Sequence, residues 1–197
     1  MIRAVDFRRG SPYIGEIDQR GTMIPNLITI MRLVLVPVTV AMIGRQNWGL
    51  AFAAFMVAGI SDAIDGFIAR RFDMRTVLGA YLDPLADKAL LVSIYISLAV
   101  VGMVPGWLAI AVVSRDIMIV SAIVLSWVLD RPMAIKPAFV SKANTAAQIA
   151  FAAAVLGGSA FGFAVDPWAD EGAVVVAALT VASAGAYLAR WLRHMTA

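Results

Sequence analysis

Cysteine is absent from the 197 residues, and the one histidine, His194, stands near the C-terminus. These absences remove thiolate redox chemistry, structural zinc and any histidine-based catalytic triad, so carboxylates must carry whatever chemistry the chain performs. Charge is also scarce. Asp, Glu, Lys and Arg make up 15% of the residues against 61% hydrophobic ones, and the mean hydropathy is +0.85. That balance is far too apolar for a soluble domain of this size and indicates an integral membrane protein. The net charge of +3 is dispersed between apolar runs rather than gathered on one basic face, which argues against nucleic acid as a partner.

The apolar sequence divides into six stretches long enough to span a bilayer as helices: 25–43, 48–70, 79–103, 106–128, 139–163 and 172–192. Between them fall turn signals such as Gly44-Arg45-Gln46-Asn47, Val104-Pro105-Gly106, Asp130-Arg131-Pro132 and Asp166-Pro167. The expected fold is an all-α membrane protein with six transmembrane helices and no internal repeat, residues 24–197 forming one transmembrane domain. Residues 1–23 read as a polar cytoplasmic tail. They carry Arg3, Arg8, Arg9 and Arg20 without an apolar core of signal-peptide length, and Asp6, Glu16 and Asp18 argue against an acid-poor transit peptide. With both termini in the cytoplasm, the connections holding Arg70, Arg71, Arg75, Arg131, Lys136 and Lys142 fall inside, and Arg45 is the one basic residue outside. A bacterial inner membrane is the simplest location. Trp48, Trp107, Trp127 and Trp168 lie near span ends and read as interface anchors.

Four aspartates interrupt this apolar background: Asp62, Asp65, Asp83 and Asp87. A carboxylate at bilayer depth costs roughly 3 kcal/mol on insertion scales, and four in proximity also repel one another, so a divalent cation is the natural compensating partner. Their spacing is helical throughout. The segment runs Asp62-x-x-Asp65-Gly66-x-x-Ala69-Arg70, then eight residues, then Gly79-x-x-x-Asp83-x-x-x-Asp87. At about 100° per residue, positions 62, 65, 66 and 69 share one face of the second span, and 79, 83 and 87 one face of the third. Two antiparallel helix ends can thus direct four hard oxygen donors at each other, a set suited to one or two Mg²⁺ or Mn²⁺ ions near the cytoplasmic face. Gly66, Ala69 and Gly79 allow close helix approach or room for a flat ligand. Pro84 can free a carbonyl one turn earlier, a distortion tolerated at depth where it lines a cavity.

This segment resembles the signature of the CDP-alcohol phosphotransferase family without a substitution. The resemblance implies six transmembrane helices, usually in a homodimer, and a site for two metal ions facing the cytoplasm that binds the pyrophosphate of a CDP-linked lipid. It further implies that Asp62, Asp65, Asp83 and Asp87 hold the metals and that Asp87 is the base for the attacking hydroxyl. Asp62, Gly66, Ala69, Arg70 and Gly79 would bind or make room for the CDP-lipid. The segments Pro25-Asn26-Leu27, Leu78 to Lys88, Ser114-Arg115-Asp116 and Lys136 to Gln148 resemble the phospholipid-making branch, most of all the CMP-forming cardiolipin synthases. That likeness implies CDP-diacylglycerol as donor and phosphatidylglycerol as acceptor, with glycerol 3-phosphate as the alternative acceptor. The candidate acceptor-binding residues are Arg32, Arg115, Lys136 and Lys142, cations on or near different spans, with Asn144 and Gln148 one turn apart. An intramembrane cation transporter would need polar groups continuing toward the far face. Residues 49–60 and 89–103 offer only Ser93, Tyr95 and Ser97 there, so that reading finds little support. A lipid-binding scaffold would need no fixed carboxylate spacing.

Overall fold

A computed structural model of the chain describes residues 19–72, 77–129 and 139–196, with side chains described except at 19–30, 65–72, 77–87 and 127. The described residues form six α-helices: α1 Gln19–Gly44, α2 Trp48–Phe72, α3 Val77–Val100, α4 Gly106–Val128, α5 Phe139–Ala160 and α6 Asp166–Thr196. No strand occurs among the described residues. Helices are the answer a lipid environment dictates, because each satisfies its backbone polar groups within itself. The described parts of α4, α5 and α6 contain windows long and apolar enough to cross a membrane. In α1, α2 and α3 the described apolar parts, Met31–Gly44, Trp48–Ile64 and Lys88–Val100, are shorter. Two helix starts depart most from the sequence expectation, the other ends lying within a few residues of it. α1 begins at Gln19, inside the segment read as a tail, and α6 begins at Asp166 rather than near residue 172. At α6 the Asp-Pro pair that reads as a break is a helix start: an acidic first turn suits the helix dipole, and a proline there removes an N–H that has no intrahelical acceptor anyway.

The packing order explains how distant segments meet. α1 packs on α2 and α3, α2 on α5, α5 on α6, α6 on α4 and α4 on α3, which closes a ring of six helices. One further contact, α3 with α5, crosses the ring. There the fully buried Tyr95 donates its hydroxyl to the Gln148 carbonyl at 3.0 Å. Three of the helices end in the same way. The amides of Gly102 and Met103 return to Ala99 O (3.1 Å) and Leu98 O (2.9 Å), with Gly102 at φ 80°. Gly162 (φ 74°) and Phe163 repeat the pattern after α5, and Gln46 (φ 56°) with Asn47 repeats it after α1. These Schellman turns satisfy the last helix carbonyls, and the first two place glycine at the left-handed position that favours it. Asn47 then caps α2, its Oδ1 accepting from Leu50 N at 3.3 Å.

The end of the bundle away from the aspartates is held by aromatic packing. Phe52 meets Phe161 edge to face at 5.9 Å between ring centroids, and Phe151 meets Trp168 at 6.3 Å. Trp168 therefore packs against the core, and its indole N–H donates to Ala164 O at 3.1 Å. Gly157 and Gly172 make room for Phe52 and Phe151: a Cβ at Gly172 would lie 2.5 Å from Phe151 Cε2.

Candidate active site

Asp62 lies on α2, toward the end that carries the aspartate signature. Arg32 reaches it from α1, Nη2 standing 2.8 Å from Asp62 Oδ1. The two partners sit in different surroundings: the Arg32 side chain is 1% exposed, that of Asp62 44%. The guanidinium is thus a fixed internal counterion, while the outer part of the carboxylate stays open to a ligand. Both residues line a cavity of about 440 Å³ bounded also by Phe55 and Gly59 of α2, Leu90 of α3 and Thr145 of α5. Leu90 and Leu91 bring α3 to the same cavity one turn beyond Asp87. Asp65, Gly66, Ala69 and Arg70 lie on the helical backbone of α2, and Gly79, Asp83 and Asp87 on that of α3, but their side chains lie outside the described residues. Among the described residues no three metal-ligating side chains gather. Asp62 nonetheless suits a divalent ion: it is a hard oxygen donor, nearly half exposed, in apolar surroundings.

Across the ring a second polar cluster begins beside Asp87. Lys88 Nζ stands 2.8 Å from Asp116 Oδ1, joining α3 to α4. The same carboxylate oxygen accepts from Arg115 Nη1 at 2.6 Å. Arg115, 6% exposed, extends the cluster by donating from Nη2 to Ser141 of α5 (2.6 Å) and Ser183 of α6 (2.9 Å). One turn deeper, Asn144 and Gln148 of α5 meet Thr180 of α6. Gln148 Nε2 donates to Thr180 Oγ1 at 3.2 Å, and that oxygen lies 2.9 Å from Asn144 Oδ1 and 2.8 Å from the Val176 carbonyl. Arg115 Nε and Asn144 Nδ2 are buried donors with no partner among the described residues, which marks where a water or a ligand oxygen would be held.

The six residues expected on the acceptor side are therefore not all together. Arg115, Asn144 and Gln148 are buried on the α4–α5–α6 side, Lys142 is exposed, and Arg32 lies across the bundle on Asp62. Lys136 lies outside the described residues. Thr180 and Ser183, which hold three of these side chains, were not anticipated. Their three-residue spacing along an otherwise apolar span was the available signal, but serine and threonine are ordinary in membrane helices, where they bond to their own backbone.

Comparison with known proteins gives a coherent result. Residues 22–159 match the family model described as CDP-alcohol phosphatidyltransferase. The CMP-forming cardiolipin synthase of Homo sapiens is 36% identical over 157 residues, covering 72% of this chain and 52% of that protein. Its Rattus norvegicus counterpart is 37% identical over the same length, with the same coverage. A probable phosphatidylglycerophosphate synthase of Mycobacterium tuberculosis is 35% identical over 114 residues, 54% of each chain. The chain spans about half the length of these relatives. The family-model match ends before α6, so Thr180 and Ser183 lie beyond it.

Proposed function

Because the chain belongs to the CDP-alcohol phosphatidyltransferase family, we propose that it transfers the phosphatidyl group of CDP-diacylglycerol to the terminal hydroxyl of phosphatidylglycerol, giving cardiolipin and CMP. The observation that carries this reading is Asp62: a half-exposed carboxylate, braced by a buried arginine, at the head of an apolar cavity between membrane helices. A soluble substrate would gain little from that cavity, whereas a lipid joined to a charged nucleotide meets both of its surfaces. The likeness to the cardiolipin synthases favours phosphatidylglycerol as acceptor. The likeness to a phosphatidylglycerophosphate synthase supports glycerol 3-phosphate as the second reading.

In this proposal Asp62, Asp65, Asp83 and Asp87 hold two Mg²⁺ or Mn²⁺ ions. When bound, the ions neutralise the pyrophosphate and stabilise the departing CMP. Gly66, Ala69, Arg70 and Gly79 receive the cytidine nucleotide along α2 and the start of α3. Arg32 holds one oxygen of Asp62 and so fixes which carboxylate edge faces the cavity. On the acceptor side, Arg115 and Asn144 offer their N–H groups to phosphate or glycerol oxygens, with Gln148, Lys136 and Lys142 as further acceptor-binding residues. Asp87 takes the proton from the attacking hydroxyl as the new P–O bond forms and the bond to CMP breaks. Alignment and charge neutralisation carry the reaction, and no covalent enzyme intermediate is needed.

The same reading places six spans in a bacterial inner membrane, both termini and the site on the cytoplasmic side, in a homodimer. The charge distribution of the connections supports the orientation. Replacing Asp87 by Asn tests the chemistry: CMP release falls by about 10²- to 10⁴-fold, as for loss of a general base, while thermal unfolding stays near that of the parent chain. A variant that keeps full turnover would remove Asp87 from the mechanism.

A further inference from the structure

Among the described residues, every buried hydroxyl but one has a partner. Thr39, Ser126 and Thr180 donate to carbonyls one turn back on their own helices, Tyr95 donates to the Gln148 carbonyl, and Ser183 accepts from Arg115. The exception is Tyr187 of α6, 7% exposed, whose hydroxyl bonds to none of the described residues. A phenol that has left water without finding a partner costs the fold stability, and phenylalanine would fill the same space without that cost. The fold alone gives this hydroxyl no purpose.

Its position suggests one. α6 packs on α4 and α5. At about 100° per residue, Thr180, Ser183, Tyr187 and Trp191 fall within an arc of roughly 80° on α6, and three of them show where that face points. Thr180 meets Asn144 of α5, Ser183 meets Arg115 of α4, and the Trp191 indole N–H donates to Ala122 O (3.0 Å) and Ser126 Oγ (2.9 Å) of α4. Tyr187 lies between the last two, so α6 is tied to α4 one turn on either side of it. Long side chains on a helix lean toward its N-terminus, over the residues three and four positions earlier, which here are the small Ala184 and Ser183. The ring is thereby directed toward the level of the Arg115–Ser183 bond. Arg115 Nε and Asn144 Nδ2, the two other buried donors on this side that lack a partner among the described residues, belong to the side chains that Ser183 and Thr180 hold. All three groups can donate, a set that suits an oxygen-rich anion.

We infer that Tyr187 is a binding residue for the acceptor alcohol, its O–H donating to a phosphate oxygen of the glycerol phosphate ester that Arg115 Nε also holds. The inference rests on the transfer reaction proposed above. It makes α6, which lies outside the family-model match, part of acceptor recognition. The recognised chemistry is glycerol esterified to phosphate, which phosphatidylglycerol and glycerol 3-phosphate share.

The test compares the full chain with Tyr187→Phe, which removes one oxygen, and with Ser126→Ala, which loosens the Trp191 contact between α4 and α6 without touching the donors. Tyr187→Phe raises the KM for phosphatidylglycerol by about tenfold, as for loss of one hydrogen bond to a charged group, and leaves the KM for CDP-diacylglycerol and the Tm unchanged. Calorimetric titration with short-chain phosphatidylglycerol in detergent shows the same loss of affinity, and Ser126→Ala changes neither KM. An unchanged acceptor KM and affinity, the result for a hydroxyl that holds only a buried water, overturns the inference. So does an equal rise in both KM values, or a Ser126→Ala variant that reproduces the acceptor effect through helix docking. If the parent chain uses glycerol 3-phosphate and Tyr187→Phe raises that KM, the phosphate contact stands and only the phosphatidylglycerol assignment falls. Titration needs no turnover, so a parent chain that binds phosphatidylglycerol through Tyr187 but releases no CMP overturns the proposed activity and upholds the binding residue.

Discussion

The Arg32–Asp62 pair predicts an asymmetry in stability that ordinary salt-bridge reasoning does not. Removing one member of a buried pair costs about 3–5 kcal/mol when the surviving charge stays buried, whereas exposed pairs contribute about 0–1 kcal/mol. Here the two survivors differ, because Arg32 is 1% exposed and Asp62 44%. Asp62→Ala withdraws the carboxylate from a guanidinium that cannot reach water. Arg32 has further interactions, so the lower end of the range, about 3 kcal/mol, applies. Arg32→Met leaves a carboxylate that is still solvated and fills the buried space with an apolar side chain, so its cost stays within about 1 kcal/mol. At roughly 2–4 °C per kcal/mol for a chain of this size, Asp62→Ala lowers Tm by about 6–12 °C and Arg32→Met by less than about 4 °C. Thermal unfolding in detergent, followed by tryptophan fluorescence, measures both. The double variant should be more stable than Asp62→Ala alone. Equal losses in the two single variants, or a double variant weaker than Asp62→Ala, would refute the burial argument.

Gly172→Ala places a Cβ 2.5 Å from a Phe151 ring that is itself packed against Trp168, so it loses about 1–3 kcal/mol and its Tm falls accordingly in the same unfolding experiment. Gln46→Gly acts in the other direction: Gln46 holds φ 56° in the turn after α1, and relieving that left-handed strain adds about 0.4–1 kcal/mol, seen as a Tm raised by a few degrees. Ser183→Ala removes one of two hydroxyls that hold Arg115 Nη2, so the acceptor KM rises about tenfold with the donor KM unchanged in steady-state CMP-release assays, and Ser183→Thr restores it.

Much of the fold was legible because all six helices are broadly apolar, and long apolar runs with turn residues between them have one structural solution in lipid. Helix ends were less legible. Residues 19–23 read as polar tail because sequence hydropathy weighs side chains, while a helix can extend beyond its apolar run. Asp166-Pro167 likewise signals either a break or a first turn, and only the packing of α6 decides between them. The aspartate spacing points to a candidate site because local helical phase suffices to align residues three and four apart, and Asp62, the one of the four whose side chain is described, lines a cavity. The acceptor side depends instead on which helices are neighbours. Arg32 resembles Arg115 as a buried cation in an apolar helix, yet α1 packs on α2 and brings it to Asp62, while α4 packs on α6 and brings Arg115 to Ser183. Thr180 and Ser183 acquire meaning only through that non-local arrangement.

The most direct measurement supplies the purified chain in vesicles with CDP-diacylglycerol, Mg²⁺ or Mn²⁺, and either phosphatidylglycerol or glycerol 3-phosphate, and follows CMP together with the lipid product. The account predicts metal-dependent CMP release with cardiolipin formed from phosphatidylglycerol. Product from glycerol 3-phosphate alone would contradict the acceptor assignment, and no metal-dependent CMP release with either alcohol would contradict the proposed chemistry.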